Sequence, residues 1–112
     1  MWLCTQIGFF SIVRKQADTI HIRARCREDL DRLAQAAATG TPVASYPGSD
    51  YPWRIICTAP ELPRFMDALT KSIDYDNFKS AIAASPEQRP KLSAYYDIHH
   101  RMVEWQRNHP PV

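Results

Sequence analysis

The chain has 112 residues, 45% of them apolar and 23% charged, and a formal charge of +2, which is ordinary globular composition. This composition does not suit a disordered polyelectrolyte, and the small net charge does not by itself imply nucleic acid, so any electrostatic function must come from local clustering. The length suits one domain over residues 1–112, ending in a short flexible tail at 109–112.

Trp2 to Lys15 is rich in aromatic and β-branched residues and predicts one long strand, bent near Gly8. Gln16-Ala17-Asp18 is a short polar connector and predicts a hairpin. The next segment, Thr19 to Arg27, alternates Ile20, Ile22, Ala24 and Cys26 with His21, Arg23, Arg25 and Arg27. Successive strand side chains point to opposite faces, so this strand has one apolar and one basic face.

Glu28 to Ala38 predicts a helix with Leu30, Leu33, Ala34 and Ala37 inward, acids in its first turn, and Gly40 to end it. Thr41 to Pro52 reads as a loop in which Val43–Tyr46 is the one candidate for a further strand. Tyr51 to Thr58 is the third strand. Thr58-Ala59-Pro60-Glu61 then forms a capping box with proline in the first turn, opening a helix that buries Leu62, Phe65, Met66, Leu69 and Ile73. A short helix over Asn77–Ala84 and a long one from Pro90 to about Asn108 follow. The long helix is expected to turn Leu92, Tyr95, Tyr96, His99, Met102, Val103 and Gln106 inward.

The order strand, strand, helix, strand, helix, helix, helix predicts an α+β fold, with a small antiparallel-rich sheet and helices on one face. A ferredoxin-like relative is the nearest analogue. The Thr19–Thr58 strand–helix–strand piece would be a right-handed crossover if its strands ran parallel.

The basic strand face is the main functional signal. Arg23 and Arg25 lie on it, and neighbouring strands can add Arg14 and Arg54 with Phe9, Phe10, Tyr51 or Trp53, depending on register. Guanidinium forks grip carboxylate or phosphate, and aromatic rings stack on bases. The candidate binding surface is therefore Arg14, Arg23, Arg25, Tyr51, Trp53 and Arg54. Asn77 and Lys79 form a candidate recognition turn.

His99, His100 and Glu104 are too few for a zinc site, and Asp97–Arg101 and His100–Glu104 read as surface pairs, with His99 in the core. Asp74-Tyr75-Asp76-Asn77 lacks the oxygens of a calcium loop and reads as helix capping. No nucleophile motif or phosphate-binding glycine loop is present, so neither catalytic residues nor a cofactor nor a metal is expected. Cys4, Cys26 and Cys57 match no metal or redox spacing and read as reduced thiols, which suits the cytoplasm. Met1-Trp2-Leu3-Cys4 lacks the basic segment of a signal peptide, and no apolar run is long enough to cross a bilayer.

Several of these segments occur together elsewhere. Met1-Trp2, Thr5, Gly8 to Val13, Arg23, Arg25, Asp29-Leu30, Tyr51 to Arg54, Asp74-Tyr75 and Asn77 to Ser80 resemble a pattern in a group of small bacterial proteins. That pattern runs Met-Trp-x-x-Thr-x-x-Gly-Phe-Phe-Ser-Ile/Val-Val at the N-terminus and Asp-Tyr-x-Asn-Phe-Lys-Ser later. The resemblance implies no activity and carries no catalytic residue. It marks the strand arginines, Arg54 and the Asn77–Ser80 turn as one set.

The expectation is a non-enzymatic interaction protein that contacts a protein partner or a second copy of itself, like phage or mobile-element inhibitors and immunity-type proteins. A nucleic-acid module using the same arginines is the alternative, and an enzyme or metal protein the third reading.

Overall fold

A computed structural model describes residues 1–111 as an α+β fold. Two compact units divide the chain, Met1–Asp74 and the segment from Tyr75 onward.

The first unit holds a five-stranded sheet and two helices. The strands are β1 (Trp2–Cys4), β2 (Phe9–Gln16), β3 (Thr19–Ala24), β4 (Ala44–Ser45) and β5 (Trp53–Thr58), in spatial order β1-β2-β3-β5-β4. Every neighbouring pair is antiparallel. The parallel crossover does not occur: β3 and β5 pair antiparallel, with Ile22 opposite Ile55. The Val43–Tyr46 candidate contributes β4.

The single long N-terminal strand is instead two strands and a turn. Thr5 makes that turn. Its hydroxyl donates to the Gly8 carbonyl at 2.7 Å and accepts from the Gly8 amide at 3.0 Å. β-propensity alone runs straight through this segment; side-chain hydrogen bonding by threonine folds it back. Gly8 is required there because a Cβ would lie 2.4 Å from Cγ of Asp29.

Helix α1 (Arg27–Ala36) and helix α2 (Leu62–Lys71) cover one sheet face. Phe10, Ile12, Ile20, Ile22, Ala24, Ile55 and Cys57 meet Leu30, Leu33, Ala37, Phe65, Ala68 and Leu69 there. Helix α2 follows a 3-10 turn over Ala59–Glu61, whose capping box forms: the Glu61 carboxylate accepts from the Thr58 amide and hydroxyl, both at 2.8 Å. Helix α1 ends at Ala36, four residues before Gly40. Ala38 takes the left-handed conformation at φ 53°, with Ala38 and Thr39 amides donating to the Gln35 and Ala34 carbonyls at 3.0 Å. This is a Schellman closure built on alanine. Arg64 reinforces it by donating from Nε to the Ala37 carbonyl at 2.8 Å.

In the second unit, helix α3 (Phe78–Ala84) and helix α4 (Leu92–Asn108) pack together. Phe78 meets Tyr95 edge-on with ring centroids 5.1 Å apart. Of the inward stripe expected along α4, Tyr95 is buried and Leu92 and Val103 are half-buried, whereas Tyr96, His99, Met102 and Gln106 are exposed. The expected core role of His99 is thus overturned. Glu104 pairs with Arg101 at 3.1 Å instead of with His100. At the tail, His109 stacks on Trp105 with centroids 4.5 Å apart; Val112 lies outside the described residues.

Two glycine–alanine exchanges should have opposite signs. Gly8→Ala should lower unfolding free energy by about 3 kcal/mol through overpacking against Asp29. Ala38→Gly should raise it by about 0.5–1 kcal/mol by relieving the left-handed strain. Urea denaturation of both variants measures this.

Candidate functional site

The helices take one face of the sheet, so strand parity assigns the other. Ser11 opposes Arg23, Val13 opposes His21, Arg23 opposes Arg54 and His21 opposes Ile56. Trp2 and Cys4 of β1 continue this face, opposite Ser11 and Phe9. The expected gathering of Arg23, Arg25 and Arg54 on the face opposite α1 and α2 therefore forms.

Register decides which aromatics join them. Tyr51 does, although it sits in the loop before β5. Its ring packs against both Arg23, 4.5 Å from guanidinium carbon to centroid, and Arg25, at 4.3 Å. Phe9 lies 5.4 Å from Arg25. Trp53 does not join: it opposes Ala24, points into the helix-covered face with it, and lies 5.6 Å from Arg27. Phe10 is in the core for the same reason. Arg14 opposes Ile20, on the wrong parity, and its guanidinium donates to the Ala17 carbonyl at the hairpin turn. Placing Trp53 and Arg14 on the binding face is thus corrected by one residue of register.

Three further residues complete the cluster. Tyr46 stacks on Arg54 at 4.4 Å. Ser49 accepts from Nη2 of Arg54 at 3.1 Å, and Ser11 accepts from Nη2 of Arg23 at 2.7 Å. The tyrosines and Ser49 belong to one loop, which turns at Gly48 (φ 83°) and closes with the Tyr46 amide donating to the Pro52 carbonyl at 2.8 Å. The sequence marks this loop only as turn chemistry; nothing local says that it folds over β3 and β5. His21 was legible as a neighbour of the arginines by its alternation in β3.

His21 Nδ1 lies 3.1 Å from Nη1 of Arg54. Arginine only donates, so this nitrogen accepts and the imidazole is neutral with its proton on Nε2. Burial holds the His21 pKa below its ordinary value near 6.5, and the charges of Arg54, Lys15 and Arg23 push the same way.

Asn77 and Lys79 belong to the second compact unit. Asn77 is an N-cap, its side chain accepting from the Ser80 amide at 2.9 Å, and Lys79 lies 5.0 Å from the Tyr96 ring centroid. Asn77 thus caps helix α3. Burial pushes the Cys4 thiol up, and also that of Cys57, where the Glu61 charge adds to it. Among the described residues, no three His, Cys, Asp or Glu side chains converge to hold a metal, and no helix is long and apolar enough to cross a membrane.

The lowered His21 pKa gives a signed pH dependence. The unfolded chain takes up the proton more readily, so the contribution of His21 is complete above pH 6.5 and is lost as pH falls from there towards the folded pKa. Melting temperature should fall between about pH 7 and pH 5.5, and His21→Gln, which can still accept from Arg54, should flatten that part of the profile. Comparison with known proteins finds no matching family model, no similar curated protein and no matching solved structure, so function is argued from this site alone.

Proposed function

We propose that this chain is a non-enzymatic interaction protein that binds an acidic protein partner through the sheet face opposite α1 and α2. One observation carries the reading: Arg23, Arg25 and Arg54 are fixed by aromatic stacking beside exposed apolar side chains, with no carboxylate among them. Trp2 is 74% exposed and next to Phe9, with ring centroids 6.4 Å apart, and Ile56 is exposed on the same face. Tryptophan, tyrosine and arginine around a partly apolar patch are the composition of binding hot spots.

The nucleic-acid alternative is weaker on geometric grounds. Base stacking needs accessible rings. Tyr51 is 4% exposed and already engaged by two guanidinium groups, and Trp53 faces the core. A second copy through the same face is disfavoured because its arginines would meet arginines. Small size, one binding face and three free cysteines suit an inhibitor or immunity-type protein of the cytoplasm.

Affinity capture with the wild-type chain, Trp2→Ala and Arg25→Glu tests this after nuclease treatment of the lysate. An acidic protein should be retained by the wild type and reduced at least about tenfold by each substitution, a loss of roughly 1.4 kcal/mol. Both sites are exposed, so unfolding free energy should change by no more than about 0.5 kcal/mol. Retention that is equal in all three proteins, or that disappears with nuclease, would refute the reading.

A further inference from the structure

Buried charge is treated in two ways in this molecule. Asp29, 1% exposed, has its counter-charge: Nη2 of Arg32 lies 2.5 Å from Oδ1. Arg54, 8% exposed, has none. Among the described residues, no carboxylate lies within ion-pair distance of Arg23, Arg25 or Arg54. Asp50, close in sequence, meets only the Ser49 hydroxyl, at 3.4 Å.

The cluster is also internally repulsive. Arg23 and Arg54 are direct cross-strand partners, a position where like charges oppose each other. Their hydrogen bonds go only to neutral acceptors, namely Ser11, Ser49 and His21. Nε of each is buried with no acceptor at all. Burying cations without a counter-ion is unfavourable, and local conflicts of this kind concentrate at functional sites. Stacking on Tyr51 occupies guanidinium faces of Arg23 and Arg25, so an oxygen ligand meets their edges; Nη2 of Arg23 and both Nη atoms of Arg54 already donate to Ser11, Ser49 and His21, which hold the two groups in place. Arg25 is exposed and, among the described residues, forms no hydrogen bond, so its donor edge is available at the entrance.

We infer that Arg23, Arg25 and Arg54 form an oxyanion site that takes a carboxylate or phosphate group from outside the chain. The inference rests on the sheet face being a binding surface and names the chemistry it recognises. Arg25 meets the incoming group first, and Arg23, backed by Arg54, supplies the second cation. The anion neutralises the repulsion between the two strands, so the occupied protein is more stable than the empty one.

Thermal unfolding of the purified chain, titrated with inorganic phosphate, with acetate and with chloride at matched ionic strength, tests the site. A saturable rise in melting temperature with phosphate or acetate, absent with chloride, is expected. Phosphate alone acting points to a phosphoryl group on the partner, and acetate acting points to an acidic side chain or C-terminus. Arg23→Met should weaken the response at least tenfold. Arg25→Gln, at an exposed position that does not endanger folding, should weaken it several-fold. If neither anion exceeds chloride, or if both variants respond like the wild type, the site does not exist, even where Trp2-dependent capture of a protein persists. If the anion binds and no protein is captured, only the protein-partner reading fails.

Discussion

The carboxylate of Asp29 is the constraint on which the first unit depends. It is buried at the start of α1, accepts the Phe9 amide at 3.3 Å, and pairs with Arg32. Nε of Arg32 in turn donates to the Ile7 carbonyl at 3.1 Å. One side chain thereby ties the first helical turn to the β1–β2 turn, and Gly8 is the only residue type that lets the backbone approach it. Breaking a buried pair of this kind leaves an uncompensated charge, at a cost of about 3–5 kcal/mol. The network fixes where α1 lies on the sheet, and so which face of β2 and β3 is covered.

That choice has a functional consequence two strands away. Covering Ile20, Ile22 and Ala24 leaves His21, Arg23 and Arg25 on the other face, and the antiparallel register brings Arg54 alongside. The arginines of this unit then divide by what they meet. Arg32 and Arg64 end on a carboxylate or on backbone carbonyls and serve the fold. Arg23, Arg25 and Arg54 end on tyrosine rings, serines and a neutral histidine. Such partners orient a guanidinium without neutralising it.

The loop from Tyr46 to Tyr51 gives the face its present character. With Tyr51 inserted against two arginines and Ser49 held by Arg54, the face has fixed guanidinium edges surrounded by Trp2, Phe9 and Ile56. The neutral state of His21 belongs to the same arrangement, since a proton there would remove the acceptor that Arg54 uses.

Local chemistry made much of this readable from the sequence. Alternation over Ile20–Arg27 determined the two-faced strand, the Thr58–Glu61 box determined the start of the second helical region, and Asn77 determined the cap of α3. These signals act within a few residues, so they survive without tertiary context. The split of the first strand at Thr5–Gly8, the removal of Trp53 and Arg14 from the basic face, and the recruitment of Tyr46 and Ser49 were decided only by the folded chain. Each depends on the register between segments far apart in sequence. A shift of one residue in that register exchanges the two faces of a strand, and a single chain carries no local mark of it.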